Sequence, residues 1–144
     1  MKIALGCDHG GYELKEIVKA NLLNRKYAVE DFGCYSLESV DYPDYAKIVT
    51  SAVINENYTY GILICGTGIG ISIAANKVTG IRAALCTSTI MGKMSREHND
   101  ANILCLGGRT TSPELAIEIV QTFLDTPFEG GRHQKRLDKF QSIN

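Results

Sequence analysis

The feature that most constrains this chain is a regular alternation of two kinds of segment. Short apolar runs rich in Ile, Leu and Val occupy residues 2–7, 28–32, 60–65, 81–86 and 102–106. Most carry no polar alternation, which is the signature of parallel strands buried on both faces. The run at 28–32 is more polar and suits a sheet edge. Between these runs lie segments of helical period. Leu14, Ile17, Val18 and Leu22 form one apolar stripe, and Tyr45, Val49, Ala52 and Val53 a second, with Pro43 in its first turn. Residues 71–77 predict a short third helix and 88–98 a fourth. The fifth is the clearest: Ser112 can cap it, Pro113 can take its first position, and Leu115, Ile119, Val120 and Phe123 make its stripe. Five such βα units predict an α/β fold, an open Rossmann-like parallel five-stranded sheet with helices on both faces. No repeat, low-complexity stretch or boundary divides the chain, so residues 1–144 read as a single domain. Gly130-Gly131 breaks it once, before a basic segment at 132–139 that predicts a last helix able to leave the body of the domain.

Composition narrows the function. The 144 residues carry 15 Lys plus Arg against 16 Asp plus Glu, a formal net charge of -1. A broad nucleic-acid surface would call for a basic excess, so no nucleic-acid partner is expected. No apolar run approaches the roughly 18 residues of a membrane span, and the apolar start is interrupted at Asp8, too early for a signal peptide. A cytoplasmic protein without a membrane partner is the expectation. The five cysteines are odd in number and form no Cys-x-x-Cys pair. They read as reduced, mostly buried thiols rather than a disulfide framework. Nothing clusters at metal-ligand spacing, so neither a metal nor a cofactor is expected.

In an open α/β sheet, ligands bind beyond the carboxyl ends of the strands. Those ends here read Cys7-Asp8-His9-Gly10-Gly11, Cys65-Gly66-Thr67-Gly68-Ile69-Gly70, Cys86-Thr87-Ser88 and Gly107-Gly108-Arg109. The Gly66–Gly70 loop joins a strand to a helix, where glycines let a ligand approach successive backbone N–H groups. The dinucleotide fingerprint would need a glycine at Ile71, and the phosphate-loop Gly-Lys-Ser/Thr is absent. The loop is therefore a generic cradle for an oxyanion or phosphate, or else a tight turn without a ligand. Cys65 stands directly ahead of it. Backbone N–H groups favour a thiolate, so this thiol suits a general base or a nucleophile. Cys7 also ends a strand, but the anionic Asp8 beside it opposes ionisation. Arg132 and Arg136 share one helical face, either as a clamp for phosphate or carboxylate or as a solvated basic face. His9 lies within a glycine turn. His98 stands near a helix end, where the helix dipole alone could explain it. His133 reads as a surface residue.

Several of these motifs are long. Gly6-Cys7-Asp8-His9-Gly10-Gly11, Asp41-Tyr42-Pro43-Asp44-Tyr45, the stretch from Cys65 to Lys77, His98-Asn99-Asp100-Ala101-Asn102 and Glu129-Gly130-Gly131-Arg132-His133 resemble type B ribose-5-phosphate isomerases over nearly the whole chain. The resemblance implies a metal-independent interconversion of ribose 5-phosphate and ribulose 5-phosphate through a cis-enediolate, with Cys65 as the base. It implies that Asp8 and Tyr42 contact sugar hydroxyls and that His98 opens the furanose ring. Asn99, Thr67 and the loop of Gly66, Gly68, Ile69 and Gly70 would hold the enediolate oxygens. His9, Arg132 and Arg136, with Arg109 nearby, would hold the phosphate. Some family members carry serine at the Cys65 position and a glutamate base further on. This chain has Ile69 or Gly70 at the later position, which puts it with the cysteine group. The partners implied are a small sugar phosphate and a second copy of the chain, in a homodimer with shared active sites or a tetramer. Two other readings stay open: a hexose 6-phosphate isomerase acting on allose or galactose 6-phosphate, and a non-catalytic sugar-phosphate-binding module.

The shared site also has a geometric argument. The helix after the fourth strand must run back down toward the start of the fifth, and ten helical residues descend about 15 Å. His98 should then lie at the opposite end of the sheet from Cys65 of the same chain.

Overall fold

The computed structural model describes residues 1–143. The elements run β1 (Lys2–Cys7), α1 (Tyr12–Asn24), β2 (Ala28–Asp31), α2 (Tyr42–Asn55), β3 (Tyr60–Cys65), α3 (Ile69–Ala75), β4 (Ala83–Leu85), α4 (Thr89–Glu97), β5 (Ile103–Gly107), α5 (Pro113–Asp125) and α6 (Arg132–Asp138). Short 3-10 turns stand at His9–Gly11 and Lys139–Ser142. All five strands are parallel, in the order β2-β1-β3-β5-β4.

The absence of polar alternation in the central strands has its expected cause. Ile62, Leu63 and Ile64 are consecutive, and each is fully buried. Ile62 and Ile64 pack under α1 and α5, with Leu14, Val18, Ile119 and Phe123. Leu63 and Cys65 pack under α2 and α3, with Ala46, Val49 and Ile71. The sheet is thus covered on both sides, as parallel sheets are. The polar run at 28–32 is an edge strand, paired with β1 alone.

Side-chain caps start two of the helices. Ser112 Oγ accepts the Leu115 N–H at 3.3 Å with Pro113 in the first turn of α5, and Ser88 Oγ accepts the Met91 N–H at 3.3 Å to start α4. The short third helix begins earlier than its apolar spacing predicts, at Ile69 rather than 71. The fourth strand is shorter than its apolar run. The Arg82 N–H is drawn to the Asn102 side chain at 2.8 Å and its Nε to the Asp100 carbonyl at 2.8 Å, so the β4 ladder opens only at Ala83.

One buried cation fixes the lower end of the molecule. Arg96 pairs with Asp100 at 2.8 Å, donates to the carbonyls of Ala101 and Thr126, and lies over the rings of Tyr60 and Phe123. It therefore locks the end of α4 to the loop that follows α5. The final helix α6 makes its main contacts with the 3-10 turn after it, and His133 is its one buried residue.

Candidate active site

The strand order reverses direction between β1 and β3, and the crevice between their carboxyl ends is where an open sheet takes a ligand. Three loops meet there, backbone against backbone. A Cβ on Gly10 would come 3.0 Å from the Gly66 nitrogen, and one on Gly108 would strike the Gly10 carbonyl oxygen. Only glycine permits this approach, which brings the loops after β1, β3 and β5 into one wall.

Each side chain in that wall is held by a nearby backbone group. Asp8 Oδ1 accepts the N–H groups of Gly10 at 2.9 Å and Gly11 at 3.2 Å, so it caps the turn that carries His9. His9 Nδ1 accepts the Val40 N–H at 3.1 Å. That bond makes Nδ1 an acceptor and leaves Nε2 to carry the proton. His9 and Arg109 line a cleft of about 190 Å³ together with Gly10, Glu13, Leu37 and Gly108. A larger and more open groove between α4 and α5, about 500 Å³, is lined by Thr89, Glu118, Gln121 and Asp125 and holds none of this chemistry. Cys65 is 4% exposed at the end of β3, and its Sγ accepts the Gly68 N–H at 3.2 Å. Gly68 has φ +78, which a side chain would resist, and it begins α3 at the point where the loop turns. Thr67 Oγ1 takes the Ile69 N–H at 3.2 Å. The Tyr42 phenol lies against Gly70, where any side chain would strike it.

Burial raises three of the other thiols. It pushes the Cys86 thiol up to about 11, and it pushes Cys105 and Cys7 further, Cys7 also feeling Cys34 at 3.8 Å. These three are neutral thiols of the core.

Asp8, His9, Tyr42, Cys65, the Gly66–Gly70 loop and Arg109 are therefore gathered at the carboxyl end of the sheet. His98, Asn99, Arg132 and Arg136 are not. His98 caps the end of α4, and its neighbour Asp100 bonds Arg82 at the amino end of β4. Strands of five or six residues span about 16–20 Å, so the two groups lie at opposite ends of one sheet. Arg132 and Arg136 are exposed on α6 at that same lower end.

One sequence expectation is corrected there. His133 is buried, not on the surface: it is 5% exposed and its ring stacks on that of His98, with centroids 4.3 Å apart. That end also holds a group of possible metal ligands that no sequence spacing marks. His98, Glu129 and His133 bring ligand atoms within 4.8 Å of one another. Glu129 and His133 stand four residues apart, and His98, far earlier in the sequence, is brought to them by the Glu129 N–H donating to the Glu97 carbonyl at 3.1 Å, a contact no spacing rule reveals.

A family profile described as Ribose/Galactose Isomerase matches residues 3–140. The chain belongs to the ribose/galactose isomerase family. Similar relatives and structures span the chain at near full length. The ribose-5-phosphate isomerase B of Escherichia coli is 49% identical over 142 residues, covering 99% of this chain and 95% of that one. A structure of ribose-5-phosphate isomerase B from Clostridium thermocellum matches at a TM-score of 0.98 and 56% identity, covering 99% and 97% of the two chains. One from Thermotoga maritima matches at 0.97 and 55%, covering 99% and 98%. Membership of the isomerase family fits the parallel sheet and the ligand crevice at its carboxyl end. Among the described residues, no helix is long and apolar enough to cross a membrane.

Proposed function

We infer that this chain is an aldose–ketose isomerase that interconverts ribose 5-phosphate and ribulose 5-phosphate. The observation that carries the mechanism is Cys65 Sγ beneath the Gly66–Gly70 loop, beside the cleft of His9 and Arg109. In the aldose-to-ketose direction Cys65 takes the proton from C2 and the same proton returns at C1, while a hydroxyl proton passes between O2 and O1. The enediolate charge that develops between these steps falls on two neighbouring oxygens. Thr67, Asn99 and the loop N–H groups hold them, as preorganised donors do best. Asp8 and Tyr42 orient the sugar hydroxyls, and His98 opens the ring. His9, Arg109, Arg132 and Arg136 grip the phosphate, which takes no part in bond changes and supplies orientation. Membership of one family with ribose-5-phosphate isomerases at about half identity supports this substrate over a hexose 6-phosphate. The matching measurement is kcat/KM, expected to favour ribose 5-phosphate over allose 6-phosphate and galactose 6-phosphate. The whole chain serves as one domain, and an enzyme of phosphorylated sugars with five free thiols belongs in the cytoplasm.

The active site is completed by a second copy of the chain. The separation of Cys65 from His98 along the sheet supports this, because one small sugar phosphate cannot reach both ends. Exposed apolar side chains support it as well: Tyr42, Ile69 and Ile73 beside the Cys65 loop, and Ile90, Met91 and Met94 on α4. A two-fold dimer that sets one copy's upper end against the other's lower end builds two whole sites. Mixing two inactive variants tests it. Cys65→Ser and His98→Asn proteins, each dead alone, are unfolded and refolded together. Half the dimers are then mixed, each with one intact site, so activity returns to roughly one quarter of wild type. No recovery in a sample shown to contain mixed dimers means that both residues act within one chain.

A further inference from the structure

The cluster of His98, Glu129 and His133 has a geometry that the isomerisation does not use. Three segments build it: the residue capping α4, the loop after α5 and the first turn of α6. Their backbones are tied together. The Glu129 N–H donates to the Glu97 carbonyl at 3.1 Å, the His133 N–H to the Gly130 carbonyl at 3.1 Å, and Arg96 Nε to the Thr126 carbonyl at 3.2 Å. His133 Nε2 and Glu129 Oε2 stand 3.4 Å apart. Two ligands bound to a tetrahedral ion at about 2.0–2.1 Å lie about 3.3–3.4 Å from each other, so this pair already has the spacing of adjacent ligands. The third ligand atom, from His98, is within 4.8 Å of both. The His98 ring now stacks on His133 at an interplanar angle of 14°, so it must turn about its side-chain torsions to share an ion. Among the described residues, no hydrogen bond engages the His98 ring, so the turn has only the stacking on His133 to break.

We propose that His98, Glu129 and His133 form an inhibitory site for Zn²⁺, with the fourth position open to water or to a substrate oxygen. Two imidazoles with one carboxylate form a set that suits zinc and its transition-metal neighbours, whereas Mg²⁺ and Ca²⁺ take oxygen ligands alone. An ion held there takes the nitrogen lone pair of His98. The inhibition rests on His98 being the ring-opening group; the binding does not.

The test separates the two. Direct binding is measured in the Cys65→Ser protein, which lacks the thiol assigned above as the base and so a competing thiolate, with Co²⁺ as the visible-absorption probe and Zn²⁺ as the competitor. One Co²⁺ per chain is expected, displaced by Zn²⁺. Glu129→Gln and His133→Gln, each added to that background, should weaken zinc at least about tenfold, since even losing an outer partner of a metal ligand costs about that. Equal zinc affinity in all three proteins overturns the site. Glu129 is half-exposed, so its variant should melt with the parent, and His133→Gln checks the result independently. The rate assay follows with Cys65 intact. Zinc should inhibit, a chelator should restore full rate, and Glu129→Gln should keep the basal rate while raising the half-inhibiting zinc concentration about tenfold. Zinc bound at this site with the rate unchanged would uphold the site and overturn the ring-opening role of His98.

Discussion

Cys65 and Cys7 end adjacent strands, yet their surroundings differ. Cys7 lies against Cys34 in the core, and burial holds its thiol neutral. Cys65 instead receives the Gly68 N–H at the mouth of the crevice. Cys65→Ser should abolish isomerisation, followed as ketose formation, while calorimetric binding of ribose 5-phosphate stays largely intact. Cys7→Ser should keep near wild-type rate; the reverse pattern would mean that the other thiol is the base. Arg136→Ala should raise KM steeply and lower kcat less, because a grip on an unreacting phosphate contributes mainly uniform binding. Loss of a charge-assisted partner costs about 2 kcal/mol, so roughly a thirtyfold rise is expected. An unchanged KM returns Arg132 and Arg136 to a solvated basic face. The placement of Cys65 was legible because a strand end and a glycine loop are local features. The burial of His133 was not, because its partner His98 lies 35 residues earlier and meets it only in the fold.

At the scale of elements, the edge strand β2 is fastened to α1 by charge as well as by pairing. Lys15, with a fully buried side chain, donates to both Asp31 oxygens at 2.9 Å and to the Cys34 carbonyl, and Lys19 reaches Asp31 at 2.8 Å. Burial alone would push the Asp31 carboxyl up, but the bonds from Lys15 and Lys19 and the Gly33 N–H outweigh it and hold the group below its ordinary 3.8. A depressed carboxyl stabilises the fold above the unfolded value and loses that contribution as pH falls through the folded one. Asp31→Asn should therefore destabilise by about 3 kcal/mol at neutral pH, since it strands a buried ammonium, and chemical denaturation measures it. The gap between variant and parent should close in acid below about pH 3.8; a constant gap would show that packing, not charge, holds the strand. The strands themselves were legible from their unbroken apolar runs. The true start of β4 was not, because Asn102 and Asp100 capture Arg82 from across the sheet.

For the whole molecule, a parallel sheet covered on both faces followed from five alternating units. The placement of β5 inside and β4 at the edge did not, since chain order leaves both arrangements open. The position of His98 at the foot of its own sheet did follow, from the length of α4 alone. Under the proposed sharing of the site, that position makes the rate a question of mass action. In the shared-site dimer proposed above, a lone chain would carry two incomplete half-sites, so catalysis and association would share one equilibrium. Above the dimer dissociation constant, turnover per chain should be constant on dilution. Below it, the rate should fall with the square of chain concentration, and saturating substrate should shift the break to lower concentration by binding only the paired form. An assay carried down through that range, beside sedimentation at the same concentrations, should find the two midpoints together. Turnover that persists on fully separated chains would mean that each copy works alone.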